Sequence, residues 1–266
     1  MDILGAALGQ FDRYLLVLSR VLGMFIATPF FSSRSIPGPI KFGLALLLAF
    51  FLLPAAAASS GVSPEENLYR YVAAVAAEVA IGLVIGYIVL LAFGAMQMAG
   101  EMIDIPIGFS LVNILDPQSG QQVPIMAQFQ YVLATLLFLL INGHHYVLEA
   151  LARTFELVPL GGWRYQPEVI GKVVEAFGAM FLLGFKISLP VVAALFLTDV
   201  ALGVVARAVP QINVFIIGFP AKIVVGLVFV MLALPLYASI VEATFSPNGQ
   251  MFQFIYRLFS TGGGGQ

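Results

Sequence analysis

The sequence predicts an all-α integral membrane protein with long helices that are kinked and broken. Hydrophobic residues make up 61% of the chain and charged residues 10%, and the mean hydropathy is +1.01. Soluble domains carry about 25% charged residues, so this composition is typical of a chain placed in a membrane. A net charge of −2, without any block of Lys and Arg, argues against nucleic acid as a partner.

Six apolar runs approach the length of about 20 residues that a helix needs to span a bilayer. They lie at roughly 14–31, 42–58, 71–98, 125–142, 173–206 and 219–245. The fifth run would be about 50 Å long as a helix, whereas a bilayer core is about 30 Å thick. We therefore expect that helix to tilt, to kink at Pro190 or to protrude.

Helix breakers place the connections between these runs. The first run ends at Pro29, and Pro210, Gly218 and Pro220 predict a loop before the last long helix. Beyond that helix, Met251–Phe259 is predicted to be a short amphipathic helix at the membrane interface, followed by a flexible Gly-rich tail.

The stretch Glu101–Ile125 lies between two apolar runs but cannot itself be a regular helix. Its breakers are Pro106, Gly108, Pro117, Gly120 and Pro124. The residues between them are too apolar for an ordinary solvent loop, and irregular backbone at membrane depth is tolerated only where it is buried in protein or lines a cavity. The positions that we consider for an apolar plug are Ile105, Ile107, Phe109, Leu111, Val112 and Ile114.

Two interpretations of this stretch stay open from the residues alone. One is a flexible plug in a protein-lined pathway, which would close by excluding water. The other is an apolar loop between helices that packs against its neighbours. Methionines around the stretch suit a compliant seal, although they suit ordinary packing equally well.

Charged residues also lie inside the apolar runs: Arg20, Glu78, Lys186 and Asp199. Such side chains are costly in lipid, so they usually face a protein interior or an aqueous path. Pairing across subunit interfaces is favoured over proton relay because no chain of carboxylates and histidines is evident. Lys186 and Asp199 lie thirteen residues apart across a proline, so we expect their partners elsewhere.

Small residues in the third run predict close helix packing. Gly82 and Gly86 share a face with Glu78 at intervals of four residues. A small residue every fourth position lets a second helix approach closely.

Enzyme motifs are missing from the sequence. It contains no GxGxxG motif, no Walker loop and no HExxH motif. His144 and His145 are adjacent, so on a helix they would point about 100° apart and would not easily share a metal ion. We expect a structural role for this pair at an interface, and neither a metal nor a cofactor. The chain has no cysteine, which excludes disulfides and thiolate sites.

Charge does not give a consistent membrane topology. Arg34 with Lys41, and Arg207 with Lys222, would mark two cytoplasmic loops under the positive-inside rule. Alternation would then place residues 99–124 inside too, although that stretch has acids and no Lys or Arg. We therefore assign no orientation.

Several stretches together resemble the FliR family of the bacterial flagellar export apparatus, whose injectisome counterparts are called SctT. They are RVLGMFIATP (20–29), GFSLVNILDP (108–117), NGHH (142–145), ARAVPQIN (206–213) and GFPAK (218–222). The resemblance runs in order from about residue 10 to 245, so it covers nearly the whole chain. The central loop and the NGHH run look more flagellar than injectisome.

The resemblance implies a non-enzymatic subunit of the flagellar type III export gate in the bacterial inner membrane, at the base of the basal body. FliP-like and FliQ-like subunits would form the pore with it, FlhB-like and FlhA-like proteins would contact it, and unfolded flagellar proteins would pass through. Its plug loop would map onto about Ile105–Pro124, with Phe109, Leu111, Val112 and Ile114 facing the pore.

The resemblance also implies a division of the chain. A single membrane-embedded domain, 1–250, would consist of a FliP-like part, about 1–166, and a C-terminal FliQ-like helical hairpin, 167–245, that turns at Pro210–Pro220. Residues 251–266 would form a short amphipathic segment and the tail. Such a hairpin would explain the overlong fifth run.

Two other classes of protein remain as alternatives. Broken helices and buried charges also suit a secondary transporter, although the sequence shows no convincing inverted repeat. An intramembrane enzyme would require distant groups to converge around the two histidines.

Overall fold

A computed structural model describes residues 3–33, 36–56, 68–109, 124–162, 167–211 and 213–260. In these ranges the regular structure is helical, which confirms the predicted all-α class. The helices are α1 (Ile3–Ala27), α2 (Pro29–Ser32), α3 (Gly38–Leu52), α4 (Leu68–Ile107), α5 (Ile125–Leu140), α6 (Gly143–Leu157), α7 (Pro167–Ala208), α8 (Val214–Phe245) and α9 (Gln250–Ser260).

Within the described residues, three segments are long and apolar enough to cross a membrane. They are Leu68–Ile107, Val169–Ala208 and Ile216–Phe259. The broken pair α5 and α6 adds a fourth if the two helices count as one span. Helix α3 has 15 residues, so it is about 22 Å long and too short for a bilayer core of about 30 Å. The chain is thus a membrane protein, and within the described residues three of the six apolar runs, or four with the broken pair, form helices of this kind.

Helix α4 continues further than the sequence predicts. It runs for 40 residues to Ile107 and contains Pro106 in its last turn, whereas the central stretch was expected to be irregular from its start. A proline this close to the end removes one hydrogen bond of a long helix. Gly108 then ends α4: its φ is 98°, and its N–H donates to the carbonyl oxygens of Asp104 and Ile105, both at 3.2 Å.

Helix α8 also differs from its prediction. It begins at Val214, so Pro220 lies inside the helix and the connection after α7 is confined to residues 209–213. The helix also contains Pro235, and prolines are tolerated in a long apolar helix because neighbouring groups and local adjustments satisfy each freed carbonyl. The turn of the predicted hairpin is therefore shorter than Pro210–Pro220.

The described chain forms two compact units. The first consists of residues 1–91, 142–176 and 245–266. In this unit α1 packs against α3, and the Tyr14 hydroxyl donates to the Leu46 carbonyl oxygen at 3.0 Å. Helix α9 packs against α6.

The apolar face of α9 is buried in protein rather than exposed at a membrane interface. Its buried side chains are Met251, Phe252, Ile255, Leu258 and Phe259. The ring of Phe252 meets that of Tyr146 on α6 edge-on at 6.2 Å between centroids. The amphipathic helix was predicted correctly, but its apolar face is covered by this unit, so an interfacial position is not needed to bury it.

The second unit consists of residues 92–141 and 177–244. It contains the end of α4, all of α5 and most of α7 and α8. One core cluster joins these four helices through Ile103, Ile107, Met126, Val191, Leu195 and Val230. In the most apolar windows of the second and third candidate spans, only 17% of residues are buried in this chain. The division into FliP-like and FliQ-like parts stays a prediction.

Candidate functional site

The described part of the central stretch contains three of the six plug candidates, in three environments. Ile105 is exposed over 72% of its side chain, whereas Ile107 is fully buried in the core of the second unit. Phe109 is partly buried and packs against that same core. The other candidates, Leu111, Val112 and Ile114, lie outside the described residues. The plug role of the set stays a prediction, whereas Ile107 packs against its neighbours, as the second interpretation of this stretch expects.

Both ends of the central stretch meet at one carboxylate, that of Asp104. Its two oxygens accept hydrogen bonds from the backbone N–H groups of Met126 at 3.0 Å and Ala127 at 3.2 Å. Asp104 is buried, and its partners lie in the first turn of α5. One signal for this contact was present in the sequence and was missed: α5 begins after Pro124, whose side chain has no acceptor for those N–H groups.

Arg20 and Glu78 form an ion pair in the first unit, and both side chains are fully buried. Arg20 Nε donates to Glu78 Oε2 at 2.6 Å, and its terminal nitrogens donate to Thr154 Oγ1 at 3.2 Å and to the Val158 carbonyl oxygen at 3.0 Å. Glu78 Oε1 accepts from the Gly161 N–H at 3.0 Å. The pair therefore joins α1, α4 and the end of α6 within one chain, whereas the sequence favoured pairing across subunit interfaces.

The predicted close helix approach occurs beside this ion pair. A Cβ atom on Gly82 would lie 2.1 Å from the Arg20 carbonyl oxygen, and one on Gly86 would lie 2.7 Å from that of Met24. The neighbouring helix is α1, which contributes a third glycine, Gly23, in equally close contact with α4. Gly82 and Gly86 thus let two helices of the same chain touch backbone to backbone.

Asp199 and Lys186 differ in their partners. Asp199 on α7 pairs with Lys222 on α8 through an oxygen–nitrogen distance of 2.7 Å. Lys186 is exposed near the middle of α7 and forms no ion pair with the part of the chain that the structure describes. The prediction that Asp199 has its partner elsewhere than Lys186 is confirmed, and that partner is in the same chain. An interface role stays a prediction for Lys186.

The two histidines sit at the start of α6. Their ring centroids are 4.2 Å apart, and His144 also lies 6.3 Å from the ring of Phe30. The Nδ1 atom of His144 is buried and has no hydrogen-bond partner among the described residues. No group of three His, Cys, Asp or Glu side chains that could hold a metal ion occurs in the described ranges.

Comparison with known proteins gives the family. Residues 11–247 match the model of the bacterial export proteins, family 1. The chain is 35% identical over 239 residues to the flagellar biosynthetic protein FliR of Bacillus subtilis (strain 168), covering 89% of this chain and 91% of that protein. It is 33% identical over 239 residues to FliR of Escherichia coli (strain K12), covering 90% of each chain.

A more distant relative matches over a similar length. FliR of Aquifex aeolicus (strain VF5) is 28% identical over 252 residues, which cover 93% of this chain and 95% of that protein. The family model and these relatives span both structural units and reach beyond the central stretch on either side. The chain therefore belongs to family 1 of the bacterial export proteins, as a membrane protein related to the flagellar biosynthetic proteins FliR.

Proposed function

We propose that the chain is a subunit of the flagellar type III export gate, where it completes a pore with FliP-like and FliQ-like subunits for unfolded flagellar proteins. The observation that carries this proposal is the family match, which covers residues 11–247 of 266. Because the curated relatives named FliR match over about nine-tenths of both chains, the comparison concerns whole proteins rather than one shared segment. The gate would lie in the bacterial inner membrane, with FlhB-like and FlhA-like proteins as further contacts.

Charged side chains that are exposed on an apolar helix support the proposal that this chain assembles with other subunits. Lys186 and Asp199 both lie on exposed positions of α7. A charged side chain in contact with hydrocarbon is strongly disfavoured, so these positions need protein or water beside them. Neighbouring subunits around a pore would supply both.

The central stretch would provide the plug of this pore. Phe109 follows the end of α4 at Ile107 and packs against the core of the second unit, and Leu111, Val112 and Ile114 come after it in the sequence. Apolar side chains that meet in a narrow passage exclude water and so block ions. In this proposal Ile107 holds the start of the plug in the protein core, and the residues after Gly108 form the seal.

Co-purification would test the assembly. The tagged chain would be expressed with FliP-like and FliQ-like subunits of the same bacterium, and the complex extracted in detergent would be weighed by native mass spectrometry. We expect a hetero-oligomer that contains one copy of this chain. A stable monomer or homodimer that ignores those subunits would overturn the gate and would favour a secondary transporter.

Replacement of the seal would test the plug. Residues 111–114 would be exchanged for a Gly/Ser tetrapeptide, which keeps the chain length and leaves Ile107 and Phe109 in place in the core. We expect the complex to assemble at normal yield and to make proteoliposomes permeable to ions. A matched replacement of Ser119–Gln122, polar residues of the same stretch, serves as the control and should leave the membrane sealed. Tight liposomes with the first replacement would count against the plug.

A further inference from the structure

Asp104 connects the last turn of α4 to the first turn of α5. From this contact we propose that Asp104 is a positioning residue, a helix cap supplied by another helix, that fixes the two ends of the central stretch relative to each other. The inference about its role in export rests on the function proposed above. The connection itself rests only on described residues of the second unit.

The hydrogen bonds of Asp104 are those of a helix N-cap. In α5 the first three residues are Ile125, Met126 and Ala127, and Asp104 accepts from the N–H groups of the second and third. A capping side chain normally comes from the residue just before the helix and accepts from these same positions. Here that residue is Pro124, which makes no such bond. The cap of α5 therefore comes from 20 residues earlier in the chain, out of α4.

Charge strengthens this connection. The N-terminus of a helix carries a partial positive charge, and a carboxylate placed there is stabilised by it. Hydrogen bonds from N–H groups to a charged oxygen are about twice as strong as neutral ones, most of all away from water. Asp104 is only 2% exposed, so water does not compete for its oxygens.

The surrounding packing holds the two helix ends at a fixed separation. One turn before Asp104, a Cβ atom on Gly100 would lie 2.3 Å from the Cα atom of Ala127, so only glycine allows this approach. On the adjoining face, Ile103 and Ile107 share the core cluster with Met126. Hydrogen bonds, a backbone contact and apolar packing thus act on the same two turns.

The consequence for export is that the two described ends of the central stretch are held at fixed points. In a gate the plug can seal only if its ends hold it in register with the passage. Loss of the Asp104 connection would therefore loosen the seal while the helices themselves remain folded.

The first experiment compares Asp104→Asn with Glu101→Gln in the assembled complex. Both changes remove one carboxylate from the last turns of α4, but Glu101 is exposed, and its partner among the described residues is Gln97 on its own helix. We expect the amides of Met126 and Ala127 to exchange hydrogen about tenfold faster in Asp104→Asn, because a charge-assisted bond is lost. In Glu101→Gln their exchange should not change. Equal exchange in both variants would overturn the proposal.

A second measurement follows the separation of the two ends directly. The chain has no cysteine, so spin labels attached to Ile105→Cys and Ile125→Cys would be the only ones, and both positions are exposed. We expect a narrow distribution of label distances in the parent and Glu101→Gln backgrounds, and a broader one with Asp104→Asn. An unchanged distribution would show that Asp104 does not hold the ends together.

A rescue variant separates the cap from the connection. Pro124→Asp offers α5 a cap from its own chain neighbour, so Asp104→Asn with Pro124→Asp should restore slow exchange at Met126 and Ala127. It should leave the distance distribution broad, because the link between the helices is still missing. If the double variant narrowed the distribution again, Asp104 would be a cap alone and its positioning role would be refuted.

Ion leakage distinguishes this inference from the proposed function. If complexes with Asp104→Asn leak ions, and those with the double variant leak too, the result supports both the Asp104 connection and the proposed plug. A broadened distribution with sealed liposomes supports the connection and counts against the plug, whereas leakage without broadening supports the plug and counts against the connection.

Discussion

Arg20 Nε and Glu78 Oε2 lie 2.6 Å apart although 58 positions separate the residues in sequence, and water reaches neither side chain. The Arg20 Cζ atom also lies over the ring of Phe155, 4.2 Å from its centroid. A buried charge is stable only when it is paired and hydrogen-bonded. This pair thus specifies how α1, α4 and the end of α6 assemble in the first unit.

Removing one member of the pair should destabilise the protein strongly. Glu78→Gln leaves the Arg20 guanidinium buried without a counter-charge, which costs about 3–5 kcal/mol. We expect a large fall in the thermal unfolding temperature of the detergent-solubilised chain. The double variant Arg20→Met with Glu78→Leu should recover part of that loss, because no unpaired charge remains. A double variant less stable than either single one would contradict this explanation.

Glycines on α4 and α7 should respond in opposite directions to the same change. Gly82→Ala places a Cβ atom 2.1 Å from a backbone oxygen of α1, and such overpacking costs about 1–3 kcal/mol. A Cβ atom on Gly178 would have no other atom within 4 Å. Gly178→Ala should therefore be neutral or stabilising by up to about 1 kcal/mol, since alanine favours the helix. Thermal unfolding of the isolated chain measures both. A Gly82→Ala variant as stable as the parent chain would show that the helices can move apart at Gly82 without penalty.

Ile105 and Ile107 offer a matched pair at the end of α4. Ile107→Ala should cost about 2–5 kcal/mol because it opens a cavity in the core of the second unit. Ile105 is mostly exposed, so Ile105→Ala should change the free energy of unfolding by less than about 0.5 kcal/mol. Unfolding of the isolated chain tests this difference. Similar losses at the two positions would argue that both side chains are buried.

Lys186 should matter for assembly rather than for the fold of the chain. We expect Lys186→Met to weaken the binding of a partner subunit by more than about tenfold and so to reduce the amount that co-purifies, because truncating one member of a buried charge pair costs about 2–5 kcal/mol. Lys186→Arg keeps the charge and should retain the partners. The isolated chain should unfold at the same temperature in all cases, since Lys186 is exposed there. Normal recovery of partners with Lys186→Met would remove the predicted interface role.

Local periodicity predicted where most helices lie but not where all of them end. Pro106 and Pro220 were expected to break the backbone, yet both lie inside helices. The stability of a long helix comes from its packed face as well as from its own hydrogen bonds, so one missing N–H does not end it. The burial of Ile107 shows such packing at the end of α4.

For the candidate site too, the sequence predicted some features and could not show others. The sequence identified the central stretch as unusual from its composition, and it identified Arg20 and Glu78 as charges that need protein around them. It could not show that these two residues are each other's partners, nor that Asp104 caps α5. Those contacts join residues that are distant in sequence, and no spacing rule within one helix reveals them.

By itself, the sequence determined that this protein is a helical membrane protein of an export family. In a chain this apolar, the backbone N–H groups lie away from water and must bond to the chain's own carbonyl groups, which favours helices. The motifs that carry the family resemblance occur in order from about residue 20 to 222. Only the tertiary structure decided which charges pair, which isoleucine is buried and how both ends of the central stretch are held. These are properties of helix faces in contact, and they exist only once the chain has folded.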